Sequence, residues 1–382
     1  MDLIDSHKRL SESLSILSKT NPHVVIAMSG GVDSAVAAKL LVDEGFRCSA
    51  LFMKNWDERP DSANQPCSWE DEVADALAVC ETLKIDINTV DLSHDYWNRV
   101  FETFLSEYRA GRTPNPDVLC NREIKFDAFL KEAQAIGGDI IATGHYAGLS
   151  SSENGLVLMR GQDKNKDQTY FLHSLEQKQL SSSLFPLAFC YKKDVRKFAH
   201  KIGLKVHEKK DSTGICFIGE RDFRNFLSQF ISPEIGPIVT STGKVVGEHM
   251  GAIYYTLGQR EGLGIGGVRG EKNEPWFVAK KDLHKNTLMV VQGHMHPALL
   301  STSLTAGKVN WIAGESKAKS FRCSAQVRYR QKDEPCVVRD LGNHQVSVSF
   351  ESPMRAVTPG QSVVFYDGNI CLGGGIITET AV

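Results

Sequence analysis

Apolar residues run along this chain in two rhythms. Val24, Val25, Ile26, Ala27 and Met28 form an unbroken apolar run, which suits a strand buried on both faces. Ser29-Gly30-Gly31 breaks the run, and residues 35–41 then carry helix formers, so the pattern predicts strand, glycine turn and helix in succession. Further strands are predicted at 49–53, 86–92 and 139–142. Helical spacing appears between them, at Val73, Leu77 and Cys80 in 70–83 and at Val100, Phe101, Phe104 and Leu105 in 95–108. Strand and helix in alternation predict an α/β fold with a doubly wound parallel sheet. Ligands on such sheets bind beyond the carboxyl ends of the strands. That places Ser29 to Ser34, Met53 and the Gly144 of Thr143-Gly144-His145-Tyr146 around one crevice.

The rhythm changes in the second half. Phe223, Phe226 and Phe230 recur at helical spacing and predict core packing. After Pro233 glycine becomes frequent and the strand-like pieces are short, as at 252–256, which predicts a small linking domain. From Leu288 onward strand signals dominate, at 288–291, 320–329, 345–350, 362–366 and 370–376, and predict a small β-barrel. The expected domains are therefore 1–222, 223–287 and 288–382.

Composition narrows the class. At 382 residues the chain exceeds one ordinary domain, and its hydrophobic and charged fractions of 41% and 24% are those of a globular protein. No apolar run reaches the roughly 18 residues of a membrane span. Asp2, Asp5 and Glu12 near the start fit neither a signal nor a transit peptide, so a cytoplasmic location is expected, with no membrane partner. The nine cysteines never occur as C-x-x-C, which argues against a disulfide framework, a closed zinc site or a cluster-bearing relative. His294-Met295-His296 lacks an evident third ligand, so no metal site is expected there. With a net charge of −2, nucleic-acid binding would have to come from local patches. Two such patches stand out. Residues 191–210 hold eight Lys and Arg against Asp194 and Glu208, and Arg322, Arg328, Tyr329 and Arg330 share one predicted strand. Each reads as a solvated face or as a grip on an RNA backbone.

The chemistry begins at the glycine turn. Free N–H groups at a helix start, aided by the hydroxyls of Ser29 and Ser34, make an anion site that Gly30 and Gly31 let a phosphate approach closely. The loop lacks the lysine and spacing of G-x-x-x-x-G-K-[ST]. A second candidate is Cys120. Pro114 and Pro116 are expected to exclude helix before it, and a helix is expected to begin at Asn121. Arg112, Arg122 and Lys125 flank the thiol, a setting that favours thiolate, although a buried core cysteine is the alternative.

The pattern S-G-G-V-D-S at 29–34 resembles the pyrophosphate loop of the ATP-pyrophosphatase superfamily. Together with N-P-D-V-L-C at 115–120, T-G-H-Y at 143–146 and D-S-T-G-I-C-F-I-G at 211–219, it resembles the bacterial-type tRNA-specific 2-thiouridylase family over nearly the whole chain. That resemblance implies ATP-dependent replacement of the C2 oxygen of the wobble uridine by sulfur, in tRNAs accepting Lys, Glu and Gln. It implies ATP held by Ala27, Met28, Ser29, Gly30, Gly31, Val32, Asp33, Ser34, Met53 and Gly144, with Mg²⁺ offsetting phosphate charge. Cys216 would carry a persulfide from a sulfur-relay protein or cysteine desulfurase system. Cys120 would be the nucleophile, and a transient Cys120–Cys216 disulfide would follow. Asp117 would act as general acid/base. Asn115, Pro116 and Asp117 would contact the flipped-out base, and Lys166, Asp167, Gln168, Arg328 and Tyr329 would touch tRNA. Two other readings remain open: an adenylating ligase or amidotransferase, which needs neither basic barrel nor paired cysteines, and a non-catalytic nucleotide-gated RNA-binding protein.

Overall fold

A computed structural model of the chain describes residue 17 and residues 21–56, 68–211, 223–270 and 273–381. The predicted N-terminal strands are all present: β1 (His23–Ala27), β2 (Arg47–Lys54), β3 (Ile87–Asp91) and β4 (Ile140–Ala142). With a short β7 (Ser183–Leu184) they form a parallel sheet in the order β3-β2-β1-β4-β7. Val24, Val25 and Ile26 are fully buried in its centre, each contributing about 1.5–3 kcal/mol. α1 (Val32–Asp43) follows β1, and α2 (Ser68–Leu83) lies between β2 and β3. Because β2 and β4 flank β1 on opposite sides, the loop after β1 opens at the point where strand order reverses, the usual ligand crevice.

Two long helices are interrupted by π turns. The first runs through Ser93–Tyr96, Trp97–Phe101 and Glu102–Arg109, the second through Pro116–Leu119, Cys120–Ala128 and Phe129–Ala135. Helix therefore begins at Pro116, not at Asn121. Proline is tolerated there because the first helical N–H needs no intrahelical partner, and the side chain of Asn115 accepts the N–H of Asp117 at 3.1 Å.

The central unit is a four-stranded sheet of β8 (Gly236–Val239), β9 (Val245–His249), β10 (Trp276–Asp282) and β11 (Thr287–Gln292). A boundary at 287/288 would cut through β11, whose partners are β8 and β10. The barrel begins instead at β12 (Leu300–Trp311). It continues through β13 (Ser320–Gln326), β14 (Glu334–Gly342), β15 (Gln345–Arg355), β16 (Ser362–Asp367) and β17 (Ile370–Ala381). Pairing of β12 with β17 closes these six strands. A hairpin the sequence did not announce, β5 (Ala147–Ser152) and β6 (Gly155–Arg160), leaves the first domain and pairs with β17.

Candidate active site

The glycine loop is built for close approach. Gly30 has φ +67°, and a Cβ there would lie 2.3 Å from the carbonyl oxygen of Glu72 in α2. Gly31 caps α1 without a side-chain hydrogen bond to the helix N–H groups, which leaves them directed at the crevice. Ser34 Oγ donates to the Gly31 carbonyl at 3.0 Å and accepts from the Ser29 N–H at 3.3 Å, so the turn is held from within. Ala27, Met28 and Val32 frame it. Met53 at the end of β2 lies half-buried on one side, and Gly144 after β4 on the other. A Cβ on Gly144 would meet the backbone of Asp33 and Ser34 at 2.9 Å.

The lysine absent from the loop motif arrives from a distant helix. Lys192, first residue of the helix Lys192–Lys201, is only 8% exposed, and its Nζ donates to both Asp33 carboxylate oxygens at 2.7 and 2.6 Å. It also pairs with Asp211 at 2.8 Å. Lys166 and Arg196 reach the same Asp211 at 2.5 and 2.6 Å. Burial pushes the Asp211 carboxyl up, but hydrogen bonds from Lys166 and Lys192 overcome this and hold it well below the ordinary 3.8. Lys209 bonds Asp75 at 2.6 Å and the Gly30 carbonyl at 3.3 Å. The Tyr146 hydroxyl donates to Asp33 at 2.8 Å; burial, with Asp33 beside it, raises its pKa far above the usual phenol value. The basic run at 191–210 is therefore partly an interior feature of the loop site. Sequence reading missed Lys192, Arg196, Lys209 and Asp211 as a group, and the one available signal was a lysine-rich helix in a chain whose phosphate loop lacks a lysine.

These residues fit a nucleoside triphosphate: the N–H groups at the start of α1 carry no side-chain cap, and Lys192 and Lys209 supply charge beside the loop. Magnesium fits as well, since it is commonly held by one or two carboxylates plus substrate phosphates, and Asp33 and Asp75 are at hand.

Cys120 is 1% exposed, at the start of the π turn that follows the first turn of the second long helix. Among the described residues, the arginines expected to flank it are turned to other partners. The thiol is packed in the apolar core, Arg112 is committed to Glu107, and Arg122 to Glu123 at 2.8 Å. Lys125 instead approaches His145. Burial first, and the Lys125 charge second, hold that imidazole neutral well below its usual pKa of 6.5. His145 also packs on Phe126 of the same π turn at 5.8 Å. The segment 143–146 thus touches the glycine loop through Gly144 and Tyr146, and the Cys120 helix through His145. Asn115 and Asp117 are half-buried at the head of that helix, while Pro116 is buried. Cys216 lies outside the described residues, as do 57–67 of the loop between β2 and α2.

The barrel closes over this helix from the other side. Gln361 Nε2 donates to the Thr113 carbonyl at 2.8 Å, and the Thr113 N–H donates to the Pro359 carbonyl at 3.0 Å, pinning the approach to Pro116. Tyr329 packs on Phe171 at 4.4 Å, and Asn121 Nδ2 donates to the Phe171 carbonyl at 3.3 Å. Arg328, Tyr329 and Arg330 do not share a strand with Arg322. β13 ends at Gln326, and the three follow in a turn where Arg330 takes φ +63°. Of the 166–168 group, Lys166 faces Asp211, Gln168 exchanges hydrogen bonds with the Tyr146 backbone, and Asp167 is buried on Thr169 and Gly161. His294 meets Phe277 edge to face, and His296 accepts from the Ala298 N–H.

Three family models cover the chain: a tRNA methyl transferase HUP domain over 22–220, a tRNA methyl transferase PRC-barrel domain over 224–292, and an aminomethyltransferase beta-barrel domain over 301–377. Among curated relatives, the tRNA-specific 2-thiouridylase MnmA of Francisella philomiragia is 52% identical over 94% of this chain and 99% of its own length. That of Nitrosomonas eutropha is 53% identical over 94% and 98%. A solved U34-tRNA thiolase, NcsA from Methanococcus maripaludis, is 17% identical with a TM-score of 0.36 over 59% of this chain and 71% of its own, a likeness too low to carry weight. With half of its residues shared along nearly the full length of these relatives, and with the glycine loop, the Cys120 helix and the closed barrel all in place, the chain belongs to the tRNA-specific 2-thiouridylase family.

Proposed function

We propose that this chain catalyses ATP-dependent 2-thiolation of the wobble uridine of tRNA. The observation that supports the reading is the meeting of glycine loop, Cys120 helix and barrel turn around segment 143–146 and Phe171, which would bring nucleotide, thiol and RNA to one region. The loop residues 27–34, with Met53 and Gly144, hold ATP, and Mg²⁺ offsets its phosphate charge. A uracil oxygen is a poor leaving group, so the C2 oxygen attacks the α-phosphate and pyrophosphate departs. The outer sulfur of a Cys216 persulfide then attacks C2 and AMP leaves with the oxygen. The Cys120 thiolate attacks the inner sulfur of Cys216, freeing the thiocarbonyl and forming a Cys120–Cys216 disulfide, which a thiol reductant opens with two electrons. Asp117, three residues before Cys120, moves the proton. Asn115 to Asp117 receive the flipped base, and Lys166 to Gln168, Arg328 and Tyr329 contact tRNA. The acceptors are those of Lys, Glu and Gln, a relay protein or desulfurase supplies sulfur, and the location is cytoplasmic. The burial of Cys120 means that the base gains access only when the Cys120 helix or its cover shifts.

The decisive assay is sulfur incorporation into unmodified tRNA with ATP, Mg²⁺ and sulfide, with pyrophosphate followed in parallel. Thiolated uridine with stoichiometric pyrophosphate is expected. With a persulfide donor, Cys120→Ala and Cys216→Ala should each reduce thiolation to background. Full activity in both variants would overturn the mechanism.

A further inference from the structure

The barrel carries a second pair of thiols, unrelated to the crevice. Cys323 on β13 and Cys336 on β14 are direct cross-strand partners, with their sulfurs 3.7 Å apart. Opposed antiparallel residues have Cα atoms about 4.5–5.5 Å apart, inside the roughly 4.4–6.8 Å range spanned by disulfides. Closing the sulfurs to a bond of about 2.0 Å therefore needs side-chain rotation and little backbone movement. The two thiols differ in access: Cys336 is fully buried, whereas Cys323 is half-buried. Cys323 donating or accepting at the Cys336 sulfur, and burial after it, push the Cys336 thiol far up, so it stays protonated until its neighbour has reacted. The strands they join lead into one turn, residues 327–333, which holds Arg328, Tyr329, Arg330 and Lys332.

We propose that Cys323 and Cys336 are a site of reversible oxidation, closed by a low-molecular-weight disulfide into a cross-strand bond that pins the base of the basic turn. Cys323, the accessible thiol, loses its proton and attacks one sulfur of the small disulfide. One small thiol leaves with that proton, and a mixed disulfide remains at Cys323. Cys336 then attacks the Cys323 sulfur, passing its own proton to the second small thiol as it departs. The protein loses two electrons and two protons, and the small disulfide is reduced to two thiols. Dithiothreitol reverses the sequence. The cross-strand bond would shorten the range of motion of the turn without touching the glycine loop.

The test uses the full chain and oxidised glutathione, with no tRNA or ATP, so its outcome is separate from that of the thiolation assay. Peptide mapping after alkylation should show residues 323 and 336 linked, with a mass two hydrogens lighter than the reduced pair, and the link should vanish with dithiothreitol. Cys336→Ala, and as a second variant Cys336→Ser, should instead retain one glutathione on Cys323, because the resolving thiol is gone. Cleavage by trypsin after Arg328 and Arg330 should slow several-fold in the linked protein. The proposal is overturned if the wild-type pair stays alkylatable while other thiols oxidise, or if neither variant holds glutathione at Cys323. Unchanged tryptic cleavage of the linked protein would overturn the pinning of the turn.

Discussion

Lys192 and Arg328 are both cations assigned to a phosphate-bearing substrate, yet they are presented in opposite ways. Lys192 is 8% exposed and already held by two carboxylates, Asp33 and Asp211. Arg328 stands exposed in a turn, beside an aromatic ring that docks on Phe171. In the crevice, low dielectric strengthens each charge and the ion pairs fix its position before the substrate arrives. At the barrel turn, water and salt would screen the charge, so each proposed contact to tRNA would be weak and grip would need many together. A site for chemistry and a site for grip are thus distinguishable by how their cations are kept.

The contrast is sharpest at Lys192. Lys192→Met keeps the stem and removes the charge, and tRNA-dependent pyrophosphate release should fall by about 10²–10³-fold, the usual cost of one preorganised donor. A loss below threefold would break the distinction. Next comes Gly144→Ala, whose new methyl must push on the backbone of Asp33 and Ser34 at 2.9 Å. Displacing that loop should cost roughly 10²-fold in turnover, with an unaltered circular dichroism spectrum. The seam between first domain and barrel is tested through pH. His173, whose carbonyl accepts the Asn310 amide of β12 at 3.0 Å, sits at that seam, and burial lowers it from 6.5 to about 4, so the unfolded chain takes up a proton below pH 6.5 that the folded chain refuses. Stability should therefore decline as pH falls from 6.5 toward 4, by about 2–3 kcal/mol. Urea unfolding of His173→Gln across that window should show the decline flattened. The smallest effects belong to the turn. Arg328→Ala and Arg330→Ala should each raise KM for tRNA with kcat unchanged, and each should lower the salt slope of binding by about one. A fall in kcat would place the turn with the chemistry after all.

How much of this was legible in the sequence follows from where the interactions lie in the chain. β3, Ile-Asn-Thr-Val-Asp, is a half-exposed strand, whereas β1, β2 and β4 carry apolar runs buried on both faces, and such runs declare themselves. β5 and β12 do not, because Ala-Gly-Leu-Ser-Ser-Ser and Leu-Ser-Thr-Ser-Leu-Thr are small and polar, and only their partners across the sheet make them strands. The glycine loop was readable because its chemistry is contiguous. The pairing of Asp33 with Lys192 was not, since 159 positions separate them. Cys120 was read from its charged neighbours in sequence, but Arg112 and Arg122 each turn to a nearby glutamate, and Cys120 is part of the buried core.

The β6–β17 pairing, Met159 with Ile370 and Leu158 with Cys371, also sets an order in time. β6 leaves the ribosome about 200 residues before the strand that covers it, and at roughly 5–20 residues per second its edge waits on the order of 10–40 s. Through that interval a nascent chain carries an open strand edge, the kind of surface that captures other chains. Polar residues soften the hazard: β5 ends in three serines, and Arg160 closes β6. Slowed synthesis of the barrel, or its truncation before Ile370, should therefore appear as aggregation of the newborn protein before it appears as lost activity.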